Sequence, residues 1–385
     1  MSSNMKGIYW RPQRTSPRQL AVVAFLSVLG LLFVERFPVK VRRPYYEEKL
    51  AAARAARQAF EQILLRRLEL GVPVDPDADP AGSGLVGPED TPIASVYGHL
   101  PAKRTSVNPN FAAVAVELLR EAGVERGDVV AVGVSGSFPA LNIAVYVALE
   151  ALGAEAVVIA SASASEYGAT YPELTWLDME RVLQENGVFS TRAVAASLGG
   201  VDDLALGHSK RGRELLRAAV DRNARPLLTA ESREQMVEAR LRALEAATGG
   251  RPTAVYVNVG GGSASVGEEG DRGRFRPGIN RSPPPGLSVD SVASELMKVG
   301  VPLVNFTHIQ DLARRFGLPQ NPRQVPAPGM GRVFVGPAYS RLAALVVFGL
   351  IVFALWAVTR FDVGQRLGGS SAAKAPGSDA PEQMV

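Results

Sequence analysis

Three short stretches hold the residue types from which a polar binding site or a nucleophilic centre can be built. In the first, Gly133-Val134-Ser135-Gly136-Ser137-Phe138-Pro139 ends a valine-rich run and opens an apolar helical pattern. Pro139 falls where a first helical turn accepts proline, because that amide has no intrahelical partner anyway. The amides of Gly136, Ser137 and Phe138, two serine hydroxyls and the helix dipole predict a pocket of anion size. Asn142 follows on the same helix. A plain strand-to-helix turn with Ser137 as its cap uses the same residues without a ligand. In the second stretch, Asn258-Val259-Gly260-Gly261-Gly262-Ser263-Ala264-Ser265 follows another valine-rich run. Consecutive glycines cost backbone entropy, so they suggest close approach to a ligand or to another backbone. In the third, Ser161, Ser163, Ser165 and Glu166 follow a further apolar run. The candidate binding residues are therefore Ser135, Gly136, Ser137, Asn142, Gly260, Gly261, Gly262 and Ser263.

Other polar groups have plainer uses. Asp178 opens a helix after Thr175 and complements its dipole. His208 precedes Ser209, a helix cap, with Lys210, Arg211 and Arg213 in the next turn, a cluster that reads as a solvated face or as a polyanion contact. His308 lies just past a strand. A serine nucleophile at Ser135 or Ser137 needs a base in hydrogen-bond reach, and His208 and His308 are the imidazoles well inside the domain. The Gly-x-Ser-x-Gly elbow is not reproduced. Neither the Walker A motif nor the dinucleotide fingerprint is present, so nucleotide binding has no specific support. With no cysteine, disulfides, thiol catalysis, Fe–S clusters and thiolate zinc sites are excluded. Three histidines (His99, His208, His308) give little for an imidazole metal site. No metal and no cofactor is assigned.

The elements that must position these residues alternate. Runs at 128–134, 155–161, 253–259 and 301–306 are short, continuous and rich in valine and isoleucine, as strands buried on both faces tend to be. Helical periodicity covers 110–122, 138–152, 174–186, 209–222, 231–248, 289–299 and 308–316. The alternation predicts an α/β domain with a mostly parallel open sheet flanked by helices. In such sheets ligands bind beyond the carboxyl ends of the strands, which is where all three stretches fall. The domain is expected over 93–317. Residues 45–70 precede it as a juxtamembrane helix and 71–92 as a Pro/Gly-rich linker, with a Pro-rich connector at 318–340. Residues 266–288 carry neither period and read as a loop.

Two uncharged apolar runs, Leu20–Val34 and Leu342–Val358, predict transmembrane helices over 20–36 and 341–359, completed by flanking arginines. The first ends in Val34-Glu35-Arg36-Phe37 without a small-x-small cleavage pair, which favours an anchor over a signal peptide. The net charge of +4 is accounted for by the tail 1–19, where Lys6, Arg11, Arg14 and Arg18 meet no acid. That tail predicts a cytoplasmic N-terminus and a main domain outside the cytoplasm, although five basic residues also follow the first run. The body is balanced in charge, so no basic face for nucleic acid is expected. The tail 360–385 is Gly/Ser/Ala-rich and predicted to be disordered. A composition of 46% hydrophobic and 21% charged residues is that of a folded chain.

Four strings, GVSGSFPALN (133–142), TWLDME (175–180), AASLGG (195–200) and NVGGGSASVG (258–267), together resemble the poly-gamma-glutamate system protein family. The resemblance runs from the first anchor to about residue 310. It implies a cell-envelope role in the synthesis, export or anchoring of bacterial poly-gamma-glutamate capsule. The implied partners are the cell membrane, the synthase and export proteins, and the polyanionic polymer itself, with no nucleic acid. It carries no catalytic residue over to this chain. Two functions are expected in competition: an accessory that binds polymer or synthase through the Gly/Ser turns, and a hydrolase or transferase acting on the polymer with a serine nucleophile.

Overall fold

The computed structural model describes residues 17–260 and 262–360. The basic residues Lys6, Arg11 and Arg14, the tail 361–385 and Gly261 lie outside the described residues. The chain begins with α1 (Pro17–Arg36), β1 (Val39–Arg42), α2 (Tyr46–Glu69), α3 (Leu100–Ser106) and α4 (Phe111–Ala122). Strands and helices then alternate through β2 (Val129–Ser135), α5 (Pro139–Leu152), β3 (Glu155–Ser161), α6 (Trp176–Glu185), β4 (Ala193–Ser197), α7 (Lys210–Arg222), α8 (Arg233–Thr248) and β5 (Thr253–Val259). The remainder comprises α9 (Ser263–Val266), α10 (Glu269–Arg272), β6 (Gly278–Asn280), α11 (Val292–Lys298), β7 (Leu303–Phe306), α12 (Ile309–Phe316), β8 (Val335–Ala338) and α13 (Arg341–Arg360). The described residues form two units, one of 42–336 and one of 17–41 with 337–360.

The larger unit is an α/β domain. Its six-stranded sheet runs β4-β3-β2-β5-β7-β6, parallel throughout except for the antiparallel edge strand β6. The chain moves outward from β2 through β3 to β4, then returns to the other side of β2 to lay down β5. The order therefore reverses between β2 and β5, and a crevice at such a switch point is where open α/β sheets bind ligands.

Strand side chains alternate between two layers, as the pleat requires. Val130, Val132 and Val134 pack with helices α2, α4 and α5 on one face, while Val129 and Ala131 join Tyr256, Met236 and Phe275 on the other. This double burial is why the strands read as continuous apolar runs. Gly133 is the one residue of β2 without a side chain, and a Cβ there would overlap the Tyr256 hydroxyl.

Residues 71–92, expected as a linker, have no regular secondary structure but are packed rather than loose. Leu85 and Val86 belong to the core. Arg67, itself buried, donates to the carbonyls of Pro73 (2.5 Å), Gly84 (3.0 Å) and Val86 (2.9 Å) and lies over the Tyr171 ring. A buried guanidinium satisfies the irregular backbone that would otherwise leave carbonyls unpaired.

The smaller unit contains α1 and α13, which pack on each other with Gly30 where a Cβ would meet Val347. Among the described residues one helix is long and apolar enough to cross a membrane, Arg341–Val358, with mean hydropathy 2.4. Many of the large apolar side chains of α1 and α13 are exposed.

Candidate functional site

The strand register builds the site. Ser135 pairs in register with Ser161, and Ser161 with Ser197, so three neighbouring strands end in a row of serines. On the other side of β2, Val134 is opposite Val259. The turn after β2 and the turn after β5 therefore leave the sheet side by side. They abut closely: Gly260 has φ +97°, and a Cβ there would lie 2.6 Å from Ser135 Oγ. Glycine at 260 is thus required twice, by conformation and by the approach of the neighbouring turn.

Above this row lies a cavity of about 560 Å³ whose walls include Ser135, Ser137, Ser161, Ser163, Ser165, Gly260, Gly262 and Ser263. Six of these eight are serines. The candidates named from sequence divide as follows. Ser135, Ser137, Gly260, Gly262 and Ser263 line the cavity. Gly136 and Asn142 do not; they brace it. Gly136 N–H donates to Ser163 O (3.1 Å), Gly136 O accepts from Ala169 N–H (2.8 Å), and Asn142 Nδ2 donates to Ser135 O (2.8 Å). Of the amides expected to be free for an anion, two are not. The amide of Gly136 is spent on Ser163 O, and that of Ser137 on Ser135 Oγ (3.3 Å). Two of the three amides expected to be free are thus used within the fold, and the serine hydroxyls of the lining stand beside them.

Ser263 is the clearest unused donor among them. Its side chain is 5% exposed, and Oγ has no hydrogen-bond partner. A buried hydroxyl left unpaired costs about 1–3 kcal/mol, so such a group in a cavity wall is the position a ligand would satisfy.

Lys103, on α3, was not legible as a site residue. It is 2% exposed, lines the cavity, and donates through Nζ to Ser137 O and to Ser165 Oγ (2.7 Å). Nζ also lies 4.4 Å from the centroid of the Phe138 ring. No carboxylate forms an ion pair with it among the described residues. Burial pushes its pKa down to about 7, against the opposing attraction of Glu166. Glu166 is itself held by Gly98 N–H (2.9 Å).

The floor of the cavity is a closed polar network. Arg240, from α8, donates to Asp203 Oδ2 (2.8 Å), Ser161 Oγ (2.9 Å) and Ser197 Oγ (2.9 Å), and both serines donate to Asp203 Oδ1. Asp202, Asp203 and Ala205 all have positive φ, so the loop 199–207 is held in a sparsely populated conformation by the buried pair. Ser163 Oγ accepts from Gly200 N–H (2.9 Å) and ties the same loop to the wall.

The remaining candidates serve the fold. Asp178 accepts from Thr175 N–H, Arg222 and Asn223; burial opposes its charge, but these hydrogen bonds hold its pKa below the usual value. Ser209 caps α7 by accepting from Gly212 N–H (3.0 Å), and Lys210, Arg211 and Arg213 are exposed. His208 is buried, and burial lowers its pKa. His308 caps α12 at φ +46° and lines a second cavity of about 460 Å³ beyond the end of β7. Among the described residues no hydrogen bond joins either imidazole to Ser135 or Ser137. No group of three His, Asp or Glu side chains there is placed to hold a metal ion.

No protein-family model matches the chain, and no curated protein does. Among solved structures, an archaeal alanine:glyoxylate aminotransferase aligns over 92% of this chain and 74% of its own, at 11% identity and a TM-score of 0.20. A likeness at that score carries no argument about function.

Proposed function

We propose that this chain is a membrane-anchored accessory protein of bacterial poly-gamma-glutamate synthesis or export, and that its α/β domain holds a carboxylate-bearing segment of the polymer or of a synthase partner at the switch-point crevice. The observation that carries this reading is the meeting of the two Gly/Ser turns over one hydroxyl-lined cavity that also contains a buried amine. Hydroxyl donors and one amine suit a carboxylate and an amide carbonyl, the two groups each unit of that polymer presents. Weak binding repeated along a chain gains avidity, so a shallow site suffices.

Both α1 and α13 cross the membrane in this reading. Leu20–Val34 is uncharged, its leucine, valine and phenylalanine side chains are largely exposed, and the same holds for α13. The unopposed basic residues before α1 favour an outward domain. A compartment-sensitive reporter inserted within 71–92, with a second fused at the C-terminus, should report outside and inside respectively; an inward linker refutes that arrangement. Labelled γ-linked oligoglutamate should bind the full chain in detergent by equilibrium dialysis, more weakly as salt is raised. Absence of binding by the folded chain removes the polymer from the reading.

A further inference from the structure

We infer that Ser165 is an acyl-accepting nucleophile and that Lys103 is its general base. Ser165 Oγ is 2.7 Å from Lys103 Nζ, inside the range in which a proton passes directly between them. Ser165 is partly exposed in the cavity wall, whereas Lys103 is enclosed behind it, so a substrate meets the hydroxyl first. The pair is fixed from both sides. Ser165 N–H donates to Ser137 Oγ (3.0 Å), and Lys103 Nζ is held by Ser137 O and by the Phe138 ring. A lysine kept only to bridge loops would gain from a carboxylate partner. This one has two neutral oxygen partners and no carboxylate in an ion pair, and its enclosure favours the free amine, whose lone pair can take the Ser165 proton.

The step balances without any further reagent. Ser165 Oγ forms a bond to the carbonyl carbon of an amide or ester while its proton passes to Lys103 Nζ. The carbon–nitrogen or carbon–oxygen bond then breaks, and the leaving amine or alcohol takes that proton. Water attacks the resulting acyl-serine while Lys103 takes its proton, the acyl–oxygen bond breaks, and that proton returns to Ser165 Oγ as the carboxylic acid leaves. The oxyanion of the first step needs a donor, and Ser263 Oγ, buried, unpaired and in the same cavity wall, is available for it. The charged and titratable neighbours are Glu166, which acts on Lys103 from outside the lining, and His99, Asp202, Asp203, Glu268 and Arg272 in the walls. This inference needs no polymer and no capsule partner, so it stands or falls apart from the reading above.

The test is an alkyl fluorophosphonate applied to the full chain in detergent, with the adduct located by peptide mass spectrometry. The expected result is one adduct on Ser165, absent in Ser165→Ala and slowed about 100-fold in Lys103→Arg, which keeps the charge but cannot act as base. The labelling rate should rise with pH and reach half its plateau near 7, where burial places the amine. Lys103→Met gives a second chain without the base should the arginine not be accommodated. Trp176 fluorescence, read in a Trp10→Phe, Trp356→Phe background, reports that each variant is folded. No adduct in the folded wild type, an adduct on another serine, or equal rates in wild type and the folded Lys103 variants would each overturn the inference.

Discussion

Replacing Lys103 by methionine should abolish a pH dependence of stability that the wild-type chain shows between about pH 7 and 10.5. Burial lowers the amine from 10.5 to about 7, so over that interval the unfolded chain carries a proton that the folded chain does not. The Lys103 contribution to stability therefore rises with pH there, by about 1.4 kcal/mol per unit at full slope, and this contribution is flat on either side. The whole effect is on the order of 5 kcal/mol. The methionine variant loses two hydrogen bonds, roughly 1–2 kcal/mol, and escapes the cost of a buried ammonium. It should be the more stable chain at pH 7 and the less stable one near pH 11. Urea unfolding followed by Trp176, which is fully buried in the core, reads this directly in a Trp10→Phe, Trp356→Phe background. Parallel stability profiles for the two chains would refute the assignment of a neutral buried amine.

Three further outcomes are expected. Arg240→Met leaves Asp203 buried without its partner and should cost about 3–5 kcal/mol in urea unfolding, with amide exchange accelerated across loop 199–207. Gly133→Ala places a Cβ against the Tyr256 hydroxyl and 2.8 Å from Ser265 Oγ, and should cost about 1–3 kcal/mol; Tyr256→Phe should recover part of that in a double-mutant cycle. Burial raises Glu180 to about 7, overcoming the Ala193 amide and Tyr146 hydroxyl that favour its charge, so the folded chain keeps a proton that the unfolded chain loses near 4.5. Wild-type stability should fall as pH rises through that window, by about 3 kcal/mol in all, and the fall should vanish in Glu180→Gln.

The sheet was largely legible because its strands are buried on both faces: β3 and β5 have the limits read from their valine-rich runs, and β2 differs by one residue at each end. Strand β4 was not, because Ala-Val-Ala-Ala-Ser has little β-branched content and reads as helix or loop. Missing it hid the serine row, since Ser197 matters only once its register with Ser161 is known. The two Gly/Ser turns were visible in sequence, but their contact depends on β2 and β5 being neighbours, a fact of topology. Two of the amides expected to be free were not, for local reasons: Gly136 is stitched to residues 163–169, and Ser137 donates to Ser135 Oγ within its own turn. Lys103 carried no signal, lying in Leu-Pro-Ala-Lys-Arg among ordinary surface types, and only its burial against Phe138 gives it a role. A clue was present in the endings themselves, as β2, β3 and β4 all finish in serine.

Ser263→Ala tests whether the crevice between the turns takes a carboxylate-bearing ligand. The hydroxyl it removes has no partner in the fold, so stability should hold or rise by about 1 kcal/mol. Titration of the full chain in detergent with short γ-linked oligoglutamate should show affinity reduced roughly tenfold by the same substitution, the worth of one hydrogen bond to a charged group. Equal affinity in the two folded chains would contradict the site.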